Sequence, residues 1–93
     1  MTQRERIETK RQEVFDRQGG RCFICGTPLA YHGFQLAHRI PQRKWCIQRW
    51  GMAVIDHPMN VAGVCGLRCN GLAQLNPVSK QAEWLADQIE GWR

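Results

Sequence analysis

Ninety-three residues make one small domain with no room for a second core. No stretch nears the roughly 20 apolar residues that cross a bilayer, and no apolar run follows the charged residues 1–17, so neither a membrane span nor a signal peptide is expected. The net charge of +5 is uneven: residues 1–50 carry ten Lys or Arg against four acids, and the remainder three against four, so the first half suits a polyanionic partner.

Residues 3–18 lack Gly and Pro and place Ile7, Arg11, Val14, Phe15 and Gln18 on one stripe, which predicts a partly exposed helix ended by Gly19-Gly20. Arg4, Arg6, Lys10 and Arg11 alternate along it with Glu5, Glu8 and Glu13, a pattern that predicts a salt-bridged surface. Cys22-Phe-Ile-Cys25-Gly26 reads as a metal knuckle and Thr27-Pro28 as a turn. His32 stands in a turn-like context and is expected at the surface. A short strand is predicted from Phe34 to Ile40, closed by Pro41. Arg43–Trp50 reads as a short basic and aromatic helix ended by Gly51, with both Trp expected in the core and Arg39, Arg43, Lys44 and Arg49 facing outward. Residues 52–58 read as loop or a turn of strand. Val61–Val64 predicts a second strand, and Arg68–Leu75 a helix. Asn76-Pro77 signals the start of the last helix, with Val78, Ala82, Leu85, Ile89 and Trp92 on one face, packing on the core or forming an oligomer face. The chain thus divides into an N-terminal helix (1–20), a central core (21–75) and a C-terminal helix (76–93).

Cys22-x2-Cys25 and Cys65-x3-Cys69 offer two bites of thiolate. A cytoplasmic location is expected, where thiols stay reduced and such pairs hold metal; two disulfides are the rival arrangement. Four soft ligands predict a closed tetrahedral zinc site with a structural role. A chain this short buries little apolar surface, so a staple of this kind is needed. Cys46 is left over among Trp45, Ile47 and Trp50, where it serves as a small apolar filler. The clamp encloses a long segment that contains His32, His38 and His57.

Within it stand Ala37-His38-Arg39-Ile40-Pro41 and His57-Pro58-Met59-Asn60-Val61, followed by Cys65-x3-Cys69-Asn70. With Cys22-x2-Cys25, these pieces make residues 22–70 resemble the HNH, or His-Me finger, endonucleases. They are most similar to the small zinc-stapled HNH proteins of phages and prophages, and more distantly to phage junction-resolving endonucleases. The resemblance covers about half of the chain. It implies an α+β fold: a zinc-stabilised ββα-metal domain with flanking N- and C-terminal helices. It also implies a metal-dependent DNA endonuclease in a bacterial host cytoplasm. His38 would be the general base, Asn60 the residue bracing the hairpin, and Asn70 a ligand of a catalytic Mg2+ or Mn2+, an His-Asn-Asn variant of the motif. Many members carry Asp or His before the base as a second metal ligand. Ala37 stands there in this chain, so Asp56 or His57 is the candidate to supply that ligand. Such chemistry needs a base near neutral pH and a hard cation on the phosphate. Arg39, Arg43, Lys44 and Arg49 would grip DNA phosphates with little sequence reading, and a homodimer would widen the footprint. Ala37 also keeps a second reading open: the same fold, catalytically degenerate, binding nucleic acid or a protein partner without cutting.

Overall fold

The computed structural model describes residues 2–92, with the side chain of Trp92 outside the described set. The first helix, α1 (Gln3–Arg17), starts at Thr2, whose hydroxyl accepts the Glu5 N–H at 3.2 Å. Two strands follow, β1 (Gln35–His38) and β2 (Val61–Val64), paired antiparallel with Gln35 opposite Val64 and His38 opposite Val61. Between them lie α2 (Lys44–Trp50), α3 (Met52–Ile55) and a 3-10 turn over Pro58–Asn60. After β2 come α4 (Leu67–Ala73) and α5 (Lys80–Trp92). The fold is therefore α+β, a two-stranded antiparallel sheet among helices, and no helix among the described residues is long and apolar enough to cross a membrane.

Side chains alternate across the sheet, and each face has its own cover. Gln35 and Ala37 turn toward α4, where Ala37 packs with Cys22, Val64, Cys69 and Ala73. Leu36 and His38 turn to the opposite face, which α1 covers. Gly63, opposite Leu36, belongs to that face, and a Cβ there would lie 3.0 Å from Phe34 Cε2 and 3.3 Å from Val14 Cγ1. Phe34 and Val14 are both buried. Gly63→Ala is therefore expected to cost roughly 1–3 kcal/mol by overpacking, lowering Tm by at least about 4 °C in a thermal scan. An unchanged Tm would mean that α1 is not seated on this glycine.

α1 docks through polar side chains as much as apolar ones. Arg11 donates to the carbonyls of Phe34 (2.9 Å) and Tyr31 (2.7 Å), and Arg17 to those of Pro58 (2.9 Å) and Val61 (2.6 Å). Gln18 both donates to the Gly63 carbonyl and accepts the Gly63 N–H. That pairing satisfies the outer edge of β2, which would otherwise be open to another strand.

A second core lies beyond the sheet. Ile40, Cys46, Val54, Ile55, Ala82, Leu85, Ala86 and Ile89 form one buried cluster, with Ile47, Trp50, Met59 and Leu75 at its margin. Each large aliphatic side chain buried there contributes about 1.5–3 kcal/mol. Cys46, fully buried, is the apolar filler expected of it.

Several expectations are corrected. Residues 52–55 are a helical turn, not loop, because Gly51 at φ 87° breaks the chain direction and lets Val54 and Ile55 re-enter the core. β1 is shorter than 34–40, although Arg39 N–H still donates to the Asn60 carbonyl at 2.7 Å. Asn76 does not cap the last helix: its side chain accepts the Val78 N–H in a local turn, and Ser79 Oγ accepts the Ala82 N–H at the true start. Val78 consequently lies outside the apolar face and is 70% exposed. α5 covers the α2–α3 cluster rather than the cysteine layer. Trp45, expected in the core, is exposed, while Trp50 packs partly against it.

Candidate functional site

Two sites emerge, one of sulfur and one of nitrogen and oxygen. The knuckle over residues 22–27 is folded by its backbone. Cys22 N–H donates to Thr27 O at 2.8 Å, Gly26 N–H to Cys22 O at 3.0 Å, and Gly26 takes φ 75° to close the turn. The second bite places Cys65 just before α4 and Cys69 within it. All four Sγ atoms of Cys22, Cys25, Cys65 and Cys69 lie within 4.8 Å of one another. Cys25 and Cys65 are 3.6 Å apart, and Cys65 and Cys69 3.7 Å. Thiolates about 2.3 Å from a tetrahedral zinc sit about 3.8 Å apart, whereas a disulfide needs about 2.05 Å. The cluster is thus compatible with one zinc, and the five cysteines are free thiols.

The thiols are unequal. At Cys22 burial opposes ionisation, but the backbone N–H groups of Cys25, Ile24 and Cys65 outweigh it and bring the pKa down to about 6. Cys25 is lowered by Thr27, whose Oγ1 lies 3.2 Å from its sulfur. Burial first, then the neighbouring sulfurs, push Cys69 up to about 12. Four adjacent thiols cannot all ionise together without a cation among them, which is what a zinc ion supplies.

The second site forms at the end of β1. His38 Nε2 lies 3.1 Å from Asp56 Oδ1, with side-chain exposures of 22% and 40%. Asp56 follows α3, so the unexpected turn of helix is what delivers this carboxylate. Gln42 donates to the same oxygen at 3.2 Å. Beneath them Asn60 is fully buried. Its Oδ1 accepts the Ile40 N–H at 2.8 Å, and its Nδ2 donates to Ile40 O (3.1 Å) and Ile55 O (2.8 Å). One amide therefore ties the end of β1, the end of α3 and the start of β2 together, with His38 and Asp56 on the two strands of chain it joins.

Asn70 does not join this group. It projects from α4 on the other face of the sheet, where its Nδ2 donates to Gln35 Oε1 at 3.1 Å. Ala37, on that same face, is buried in the apolar layer beside Ala73. His57 caps the 3-10 turn, its Nδ1 accepting the Met59 N–H at 3.2 Å. His32 is exposed, as expected, with its ring edge-on to Tyr31. Among the described residues, the four cysteines are the cluster of three or more His, Cys, Asp or Glu side chains within metal-binding reach.

No family model matches this chain, and no curated protein or solved structure matches it.

The basic residues divide differently from expectation. Arg49 pairs with Glu83 at 2.6 Å and lies over the Trp50 ring, so it is committed to α5. Arg43 and Lys44 are exposed at the start of α2, next to Gln42. Arg39 lies with its guanidinium 4.8 Å from the Phe23 ring centroid, and burial lowers its pKa. On α1 the salt-bridged surface does not form. Among the described residues the ion pairs are His38–Asp56 and Arg49–Glu83. Instead the charges separate around the helix. Gln3, Arg6, Ile7 and Lys10 line a cavity of about 430 Å3 together with Asp56, while Glu8, Gln12, Glu13 and Asp16 line a groove beside Tyr31. Arg6 and Lys10 are thus neighbours of the His38–Asp56 pair that sequence reasoning missed. Their signal was the i, i+3, i+4, i+7 spacing from Gln3 to Lys10, hidden by charges that alternate in linear order.

Proposed function

We propose that the chain is a phosphodiesterase acting on DNA, an endonuclease of HNH type stapled by a structural zinc at Cys22, Cys25, Cys65 and Cys69. The observation that carries the reading is the His38–Asp56 pair, half-open to solvent and set on the buried Asn60 beside a cavity lined by Arg6 and Lys10. With Asp56 accepting the Nε2 proton, His38 keeps Nδ1 as a base that takes a proton from an attacking water. As the water oxygen bonds to phosphorus, the bond to the leaving nucleotide oxygen breaks. Arg6 and Lys10 hold the flanking phosphates without reading bases. Arg43 and Lys44 extend the same grip from the start of α2.

A hard divalent cation fits this face through one donor, the Asp56 carboxylate, which suits Mg2+ or Mn2+ because they keep most of their waters. When bound, it would offset charge on the scissile phosphate and leaving oxygen. Asn70, on the opposite face, is not needed as its ligand in this arrangement.

The test is nicking of supercoiled plasmid with Mg2+ or Mn2+. His38→Ala is expected to lower the rate by about 100-fold or more, and Asp56→Asn by roughly 10- to 100-fold, with unchanged circular dichroism. Equal nicking by His38→Ala would remove His38 from the chemistry. Folded wild type that binds duplex with steep salt dependence but never cuts would establish the second reading, a non-cutting DNA-binding module, which the burial of Ala37 in an apolar layer favours.

A further inference from the structure

Arg39, a candidate nucleic-acid contact, has surroundings that were not legible in the sequence. It leaves the end of β1 immediately after His38, but its side chain runs to the α4 side of the molecule. Its Nε donates weakly to the Ala73 carbonyl at 3.4 Å, and no other hydrogen bond holds its guanidinium among the described residues. Two cavities meet at it. One, of about 200 Å3, is lined by Arg39, Arg17, Phe23, Met59, Val61 and Ala62. The other, of about 240 Å3, is lined by Arg39, Leu75, Gln81, Leu85 and Trp84. Neither contains an acidic residue. Each presents an aromatic ring to solvent, Phe23 at 43% and Trp84 at 64% exposure.

Both rings are held at the surface by the elements that carry them. Trp84 lies on α5 one residue before Leu85, so the turn of the helix that buries Leu85 and Ala86 holds the indole outward. Phe23 is fixed between two cysteines of the knuckle, its backbone N–H donating to Gly63 O at 3.0 Å. A partly buried cation with unused donors, flanked by two rigidly mounted exposed rings, matches what an unpaired nucleotide strand presents: a phosphate between bases with free π-faces. A duplex keeps its bases stacked on one another and offers no such faces.

We infer that Phe23, Arg39 and Trp84 form a second binding site, for unpaired DNA, with Arg39 on a phosphate and the rings stacking bases on either side. The identity of the polymer rests on the nuclease reading; the geometry of the site does not. The substrate would then be DNA carrying a single-stranded portion, such as a flap, an overhang or a branch, held on the α4 side while the adjoining phosphates reach His38 around the end of the sheet.

The test separates the two readings by measuring binding without added Mg2+ or Mn2+ on a His38→Ala background, where cleavage plays no part. Fluorescence anisotropy would compare a labelled oligothymidine with a labelled duplex. Trp84→Ala and Phe23→Ala are each expected to weaken oligothymidine binding by roughly tenfold and duplex binding by less than about twofold, while Trp84→Phe retains most of the affinity. Trp84 is exposed, so its removal leaves the core intact, and circular dichroism would verify this. Equal affinity of Trp84→Ala and its parent for oligothymidine would overturn the proposal. So would an equal loss on duplex, or no oligothymidine binding by the parent protein. Plasmid nicking by wild type with no effect of these variants on oligothymidine would leave the nuclease standing and remove this site alone.

Discussion

Stripping the metal with a high-affinity chelator is expected to unfold this chain. The two bites of the clamp are 40 residues apart in sequence, and the segment between them carries β1, α2, α3 and β2. Around the sulfurs, the buried layer on the α4 side holds Val64 and the small side chains of Cys22, Ala37, Cys69 and Ala73, with Leu29 packed at its margin. Apolar burial on that side is therefore thin, and a metal held by the four sulfurs would replace it. Structural zinc contributes apparent free energies of about 10–16 kcal/mol in small domains, against a total stability of about 5–15 kcal/mol for an ordinary one. The first is thus comparable to the whole of the second. The measurement is far-UV circular dichroism across a chelator titration, alongside zinc content, with one ion per chain expected and Cys25→Ser or Cys65→Ser behaving like the stripped protein. A cooperative thermal transition persisting in metal-free protein would show that the α2–α3–α5 core holds the fold unaided.

Asn60→Ala is expected to be the most damaging change outside the cysteines. It removes a fully buried amide and strands the Ile40 N–H and the carbonyls of Ile40 and Ile55. A buried backbone group left without a partner costs roughly 1–3 kcal/mol, so three together cost on the order of 3–6 kcal/mol, a large share of the total. Urea denaturation would report this as a shift in midpoint with an unchanged slope. Asn60→Asp keeps the acceptor for Ile40 N–H but turns a carboxylate toward two carbonyls, and should fare no better. A loss below about 1 kcal/mol for Asn60→Ala would mean that water replaces the amide, and that the loop carrying Asp56 does not depend on it.

Asn60 also bears on the proposed chemistry. His38 and Asp56 are 18 residues apart and are brought together by Asn60, which binds the residue two beyond His38 and the residue just before Asp56. Softening that junction disperses the pair before it melts the domain. A plasmid-nicking rate that falls faster than the folded fraction, as temperature rises, would be its signature.

What the sequence determined by itself was local and chemical. The cysteine pairs declare their ligand sets by spacing alone, because two thiolates on one tight turn reach the same point. The strands, α2, α4 and the span of α1 follow from short-range periodicity and from Gly and Pro punctuation. Asn60 as a brace and Asp56 as a candidate metal ligand came from the resemblance to the HNH pattern; that Asn60 is buried and that Asp56 meets His38 came from the packing. Tertiary structure alone decided which faces meet. Asn70 and His38 look alike in a linear motif, yet strand alternation and the docking of α4 put them on opposite sides of the sheet. The charges of α1 alternate along the chain but separate around the helix, so Arg6 and Lys10 face Asp56 rather than their own glutamates. Arg49 was drawn to Glu83, 34 residues away, and Arg39 to Phe23 and the Trp84 cavity. The physical reason is the same in each case: a side chain's residue type sets what it can bind, but its partner is whatever the packing of distant segments brings within about 4 Å.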